Sequence, residues 1–229
     1  MRIDATLACA AFSLCLGAWP VYARDVTTSR VTAAGIANAG NGHGSPACSS
    51  CHGANGEGNP LAGFPRLAGL PAGYIERQLE NFASGKRANA IMMPTARTLC
   101  VGERQVIANY YAKLATQSNH EPAQSTSPNA ASLMPGETLA VRGRWGEDLP
   151  ACSQCHGSGG QGVGDTFPPL TGQPTLYIEN QLRAWQSGTR DPGPMGLMGR
   201  IAKKLTADDV KTVAAYLGAL PLRNGAASP

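Results

Sequence analysis

Two stretches of this chain carry the same amphipathic stripe. Tyr74, Ile75, Gln78, Leu79 and Phe82 recur at helical spacing, and so do Tyr177, Ile178, Gln181, Leu182 and Trp185. A period near 3.6 places each set on one face of a helix. A further helix is predicted to open at Thr206, where Asp209 completes a capping box three residues on. Val210, Val213, Ala214 and Leu217 would form its apolar stripe. Its counterpart earlier in the chain is predicted to turn Val106, Tyr110 and Leu114 inward. Gly53, Gly56, Gly58, Pro60 and Gly63 read as loop. No run alternates apolar and polar residues as a half-buried strand would, so the predicted fold class is all-α.

The helical stretches belong to a longer repeat. Pro46-Ala47-Cys48-Ser49-Ser50-Cys51-His52-Gly53 recurs as Pro150-Ala151-Cys152-Ser153-Gln154-Cys155-His156-Gly157. Phe64-Pro65-Arg66-Leu67 recurs as Phe167-Pro168-Pro169-Leu170, and Ser84-Gly85 with Arg87 recurs as Ser187-Gly188 with Arg190. Met92, Leu99 and Tyr110 match Met198, Leu205 and Tyr216, and all the pairs lie 103 to 106 residues apart. Two homologous modules are therefore expected, residues 24–114 and 133–229, each wrapped around its own cofactor. Residues 115–132 join them, rich in Ser, Gln, Asn, Pro and Ala and without apolar periodicity, which is linker composition. A module of about 90 residues buries little surface unaided. A large apolar cofactor that binds only the folded state would supply the missing core.

Residues 1–23 stand apart from the repeat. An uncharged, mostly apolar stretch from Ala5 to Trp19 follows Arg2, and Val21-Tyr22-Ala23 offers small residues for cleavage. This reads as a cleaved secretory signal, and the stretch is short for a membrane span. An uncleaved N-terminal anchor is the competing reading. Removing the segment takes Cys9 and Cys15 with it and leaves five of the seven cysteines: Cys48, Cys51, Cys100, Cys152 and Cys155. An odd count with two tight Cys-x-x-Cys pairs fits a disulfide framework poorly. The formal charge of +4 is uneven: residues 24–114 hold nine Lys/Arg against five Asp/Glu, and residues 115–229 hold nine of each. So small and dispersed an excess bears on docking and does not suggest nucleic acid.

Cys48-x-x-Cys51-His52 and Cys152-x-x-Cys155-His156 are the pattern of covalent heme c attachment, so two heme c groups are expected. Two cysteines three apart on one turn reach the two vinyl groups of a heme edge, and the next residue sets an imidazole under the iron. A zinc site wants four ligands where each module offers three, and a thioredoxin-like dithiol wants a βαβ context that is missing. For the sixth iron ligand, His43 and His120 read as solvated loop residues. Met92 and Met198 each precede a matching leucine by seven residues, and a thioether favours ferrous iron. Met93 and Met195 are the fallbacks. A loop methionine filling a gap in the core is the plain alternative.

With these motifs in view the chain resembles the diheme cytochrome c4 family. The resemblance covers nearly all of residues 24–229: Pro-Ala-Cys-x-x-Cys-His-Gly, Phe-Pro-x-Leu-x-Gly, Tyr-Ile-x-x-Gln-Leu, Met-x6-Leu and Ala-x-Tyr all occur twice. It implies two class I cytochrome c folds related by a pseudo-twofold, with His52–Met92 and His156–Met198 ligation. It also implies that the carbonyls of Pro65 and Pro168 accept hydrogen bonds from His52 and His156, fixing the tautomer. A periplasmic location, peripheral association with a membrane and electron delivery to a terminal oxidase follow from the same likeness.

The departures from the family pattern set further expectations. Cys100 stands where the last helix of a module usually starts with Ser or Thr, and Cys is a poorer cap. It is expected to be a buried or half-buried free thiol without a redox role, with an exposed reactive thiol as the lesser reading. The first helix of module one is expected to be short. Arg87 and Arg190 stand equally between binding heme propionates and lying exposed at a helix end. Phe82 and Trp185 are expected in the core.

Two function classes remain. An electron carrier, not an enzyme, follows from irons with both axial positions filled. It would stand between a dehydrogenase or quinol-oxidising complex and a terminal oxidase, or serve as the cytochrome subunit of one periplasmic dehydrogenase. A heme enzyme would need one open or unusually ligated iron, and nothing beside either motif suggests a catalytic acid–base pair.

Overall fold

In the computed structural model, residues 32–116, 130–191 and 193–222 are described, without the side chains of residues 130–134 and 194. Residues 1–23, most of the expected linker, His120, Cys9 and Cys15 lie outside them.

Each half repeats one helical order. Module one has α1 (Ala33–Ala39), α2 (Ser49–His52), α3 (Ala72–Ala83), α4 (Met92–Arg97) and α5 (Val101–Lys113). Module two has α6 (Ala130–Arg142), α7 (Ser153–His156), α8 (Thr175–Gln186), α9 (Leu197–Lys203) and α10 (Ala207–Ala219). α6 starts inside the stretch read as linker. Among the described residues β structure is confined to isolated bridges, as expected of an all-α chain. α1 is the short first helix anticipated, with 7 residues against 13 in α6.

Each module has its own core. In module one, Ile36, Tyr74, Ile75, Leu79, Phe82, Leu99, Ile107 and Tyr111 cluster. In module two the cluster is Leu139, Leu149, Ile178, Leu182, Leu205, Val210, Val213 and Leu217. The amphipathic stripes therefore land where their periodicity placed them, with Phe82 buried and Trp185 packed against the second core. α10 follows its predicted stripe, with Val210, Val213, Ala214 and Leu217 all buried.

α5 does not. It buries Ile107, Ala108 and Tyr111, and Val106 is 42% exposed, with Tyr110 and Leu114 half-buried. The buried set is the counterpart of Val213, Ala214 and Leu217. Val106 precedes Ile107 by one residue, about 100° round the helix, which turns it to solvent.

The starts of the two last helices also differ. Thr206 Oγ1 accepts from Asp209 N at 3.1 Å, and Asp209 Oδ2 accepts from Thr206 N at 2.8 Å. In α5, Glu103 Oε2 accepts from Cys100 N at 2.8 Å, and a thiol replaces the hydroxyl. Cys100 is exposed, against the expectation of a buried thiol. A capping residue sits at the helix rim, and here its neighbour Leu99 goes into the core, at 2% exposure.

The modules meet as one compact unit. Arg87 and Arg190 form an antiparallel bridge at its centre, where Ala88 N donates to Thr189 O at 2.8 Å and Asp191 N donates to Lys86 O at 2.7 Å.

Candidate functional site

In each module one short helix carries the motif. Cys48 caps α2, with Cys51 N donating to its carbonyl at 3.3 Å and His52 N at 3.0 Å. Cys152 caps α7 with the same two bonds, from Cys155 N at 3.3 Å and His156 N at 3.0 Å. One turn thus gathers both sulfurs and the imidazole.

The loop after each motif folds back onto the histidine. Gly58 N donates to His52 O at 2.7 Å, and Gly162 N donates to His156 O at 2.6 Å. Both glycines have left-handed φ, +89° and +87°, and a Cβ on either would stand 2.7 Å from a backbone nitrogen, of Arg66 or Pro169. Only glycine permits that approach without strain. The returning strand brings a carbonyl to each ring: His52 Nδ1 donates to Pro65 O at 2.9 Å and His156 Nδ1 to Pro168 O at 2.8 Å. Phe64 and Phe167 stand edge-on to the rings, centroids 6.0 Å apart in both modules. With Nδ1 used as donor, Nε2 keeps its lone pair for a metal.

Electrostatics suit neutral donors. Burial pushes the His52 and His156 pKa values down against the opposing pull of the proline carbonyls. Burial pushes the Cys48 thiol up, and Cys152 up to about 11. Neutral buried thiols are the reverse of an activated dithiol, which counts against thioredoxin-like chemistry.

Beside His156 opens a cavity of about 570 Å³, whose walls include Cys152, Cys155, Met198, Leu205 and Leu217. That is the size of a cofactor site. Met92 and Met198 pack, half-buried, against their respective cores. Met195 also borders the cavity but is 81% exposed, with a left-handed φ of +58°. His43 lies exposed in the loop between α1 and α2.

The same cavity reaches the contact between the modules. There Arg87 donates to Gln78 of its own module at 3.0 Å, and to Tyr177 OH at 3.0 Å and Gln181 at 2.5 Å of the other. Arg190 mirrors it, donating to Gln181 at 2.9 Å, Tyr74 OH at 3.2 Å and Gln78 at 3.1 Å. The guanidinium carbons stack 4.4 Å from the Phe82 ring centroid and 4.0 Å from that of Trp185. Both arginines are 6% exposed, so the reading that left them solvated falls. Among the described residues neither has a carboxylate in an ion pair. Buried guanidiniums held by neutral acceptors are suited to receive the acidic groups of a ligand, because buried charge is costly without compensation. Burial and the neighbouring Arg87 press the Arg190 pKa down.

Comparison with known proteins gives these features a family. The sequence model for cytochrome c matches twice, over residues 37–105 and 135–221. The chain belongs to the cytochrome c family. This cytochrome is 46% identical over 175 residues to the thiosulfate dehydrogenase electron acceptor of Thiomonas intermedia, covering 76% of this chain and 79% of that one. Its fold superposes on cytochrome c4 of Acidithiobacillus ferrooxidans with a TM-score of 0.62 and 37% identity, over 76% of this chain and 98% of that one. It also superposes on the thiosulfate dehydrogenase of Marichromatium purpuratum with a TM-score of 0.75 and 40% identity. That match covers 82% of this chain, which spans only 40% of the longer protein.

It is a diheme cytochrome c related to cytochrome c4, and its function is electron transfer. The residues present fit heme: sulfur pairs on one turn, an imidazole whose Nδ1 is used as donor, a cavity of cofactor size and buried guanidiniums with no carboxylate ion pair among the described residues. Sequence reasoning singled out both motifs, both methionines and both arginines as candidates. It missed that each arginine is held by the opposite module, and it missed Arg66 altogether. Arg66 is a buried cation whose backbone N donates to Gln173 Oε1 at 3.1 Å and whose Nη2 donates to Thr171 O at 3.1 Å. The one available signal was its place in the repeat, opposite a proline.

Proposed function

We propose that Cys48 and Cys51, and Cys152 and Cys155, hold two hemes by thioether bonds, with His52–Met92 and His156–Met198 as axial ligands. The matched hydrogen bonds from His52 to Pro65 and from His156 to Pro168 carry this reading, because they orient both imidazoles as ligands. When bound, each heme supplies an iron that takes up and releases one electron. The chain's part is to close both axial positions, exclude water and hold the propionates. Arg87 and Arg190 are the groups suited to the last task, their crossed anchoring giving each guanidinium a fixed place.

With both axial positions filled, the chain carries electrons and has no catalytic activity of its own. Its place is between a donor that oxidises a reduced sulfur compound such as thiosulfate and a terminal oxidase downstream. The name of the Thiomonas intermedia relative supports the donor. The likeness to part of a longer thiosulfate dehydrogenase favours a second reading, a cytochrome that stays bound to its dehydrogenase as a subunit. Residues 1–23 act as the export signal, residues 24–114 and 133–229 as the two heme modules, and the periplasm is the site of action. Among the described residues no helix is long and apolar enough to cross a membrane.

Visible and near-red spectra of the purified protein, ferric and ferrous, test the ligand set. Thioether-to-iron charge transfer for both hemes and no response to carbon monoxide are expected. Met92→Ala and Met198→Ala should each open one iron to carbon monoxide and leave two hemes attached. A wild-type protein that binds carbon monoxide promptly would bring the enzyme reading forward.

A further inference from the structure

The two modules share their fold and differ in where they carry charge. From Thr32 to Gly56, across α1, the loop after it and the first Cys-x-x-Cys-His motif, the chain has no Lys, Arg, Asp or Glu. The matching stretch of module two, residues 135–160, carries Glu137, Arg142, Arg144, Glu147 and Asp148. There the charges form a network. Arg144 pairs with Glu147 at 3.0 Å and with Asp209 at 2.6 Å, and Lys204 pairs with Asp148 at 3.5 Å.

The uncharged stretch lies on the outside of module one. α1 packs on α5, Asn41 Nδ2 donates to Thr98 O at 2.8 Å, and Gly44 lies against Thr98, so the loop and the start of α5 form one surface. α1 also touches α2, where Ser50 is exposed, and the turn carrying the motif therefore borders this surface. α5 continues it. The exposed positions from residue 100 to 109 are Cys100, Val101, Gly102, Gln105, Val106 and Asn109, again without charge, with Val101 69% and Val106 42% exposed. The two charges of that stretch are engaged elsewhere. Glu103 accepts from Asn41 Nδ2 at 3.3 Å and from Cys100 N at 2.8 Å, and Arg104 pairs with Glu80. In module two the outward positions of α10 include Asp208 and Lys211.

We infer that this face of module one, α1 with the loop after it and the outer side of α5, is where the chain docks its electron donor, and that the donor meets it with an uncharged surface of its own. A charged group brought against a face without counter-charges loses water and gains nothing, which turns away acidic and basic partners alike. Apolar and amide groups lose little there. Among the described residues Val101 and Val106 are the large apolar side chains exposed on the face, too few for a permanent pair of copies and enough for a partner that leaves after each transfer. The step is the passage of one electron from the donor's reduced cofactor to the ferric iron at His52; no bond is made or broken and no proton moves. That the occupant is the donor rests on the reading of this chain as an acceptor from a thiosulfate-oxidising dehydrogenase, and the test separates the two.

The full heme-loaded chain is mixed with a purified thiosulfate dehydrogenase, with thiosulfate as reductant, and kcat/KM is measured with the cytochrome as substrate. In the wild type that value should change by less than about twofold between ~0.05 and ~0.5 M salt, where charge-steered docking falls steeply. Val101→Lys and Val101→Glu should both lower it about tenfold, as should Val106→Glu, since neither sign meets a counter-charge. Ala207→Lys and Ala207→Glu, at the matching place in module two, should leave it unchanged. Cys100 allows the same comparison on the wild-type sequence, being the cysteine of residues 24–229 that lies outside both motifs. Iodoacetate adds a charge to its thiol and should slow reduction, whereas iodoacetamide adds a neutral group of the same size and should slow it far less. A wild type that the dehydrogenase does not reduce overturns the donor reading, and the inference with it. A wild type that is reduced overturns the inference alone if Lys and Glu at Val101 act in opposite directions or not at all, if salt slows it steeply, or if Ala207 is equally sensitive.

Discussion

Module one and module two differ in how their last helix begins, and the contrast shows what the scaffold tolerates. α10 starts with a complete box, Thr206 and Asp209 bonding reciprocally, and Arg144 reinforces Asp209 through both carboxylate oxygens at 2.6 and 2.8 Å. α5 starts with the same box, but an exposed thiol, a weaker acceptor than a hydroxyl, stands in the place of Thr206. Yet Leu99 and Leu205 enter their cores at the same place, one residue before each cap. Burial of the apolar stripe fixes where the helix lies, and the cap adjusts only how firmly its first turn is held. The loops around the histidines show the opposite behaviour. There the two modules agree to within 0.1 Å in the hydrogen bond from ring to proline carbonyl.

Substitution can test how far that equality extends. The largest effect should come from Gly58→Ala or Gly162→Ala. Each puts a Cβ 2.7 Å from backbone atoms at a left-handed φ. Each should destabilise its module by roughly 2–3 kcal/mol or more, from strain and steric clash together. Denaturant unfolding of the heme-loaded protein measures this, and a large loss at one glycine only would end the equivalence of the two loops. A smaller change should follow repair of the weaker cap. Cys100→Thr is expected to stabilise module one by about 0.5–1 kcal/mol, and Thr206→Ala to cost module two about 1 kcal/mol, read from the shift in denaturant midpoint.

The smallest difference should appear in acid. The Arg144 guanidinium, with help from Thr206, holds the Asp209 carboxyl down to about 2 from an ordinary 3.8, against a partial opposing burial. A lowered folded-state pKa means that the ion pair's stabilisation is present above about pH 4. It is lost as pH falls towards 2. α10 should therefore loosen in that window while α5, which lacks the arginine, changes less. Asp209→Asn should erase the difference, as followed by circular dichroism during acid titration.

Much of this molecule was legible because it is written twice. The repeat placed both motifs, both methionines and the order of helices, since a match at constant offset needs no knowledge of tertiary contacts. The inward face of α5 was misread because Val106 and Tyr110 were chosen by spacing and by the match of Tyr110 to Tyr216. Both of those tyrosines are only half-buried. The adjacent Ile107, Ala108 and Tyr111 form an equally good stripe, and only packing distinguishes the two. Arg87 stood out as a repeated residue, but its contacts to Tyr177 and Gln181 span 90 and 94 positions. No local periodicity reports a partner that far away. Arg66 escaped notice for the same reason, since its clasp with Gln173 exists only once the modules are docked.

The crossed arginines also bear on how a duplicated chain can change. Tyr74, Gln78 and Arg87 face Tyr177, Gln181 and Arg190, and each triad serves as the other's binding site. A substitution in either copy is therefore felt in both, at the contact it leaves and at the contact it joins. Elsewhere a duplicate is free to drift from its twin, as Arg66 and Pro169 have done. At these six positions drift is answered by the opposite half, so the two copies remain each other's template.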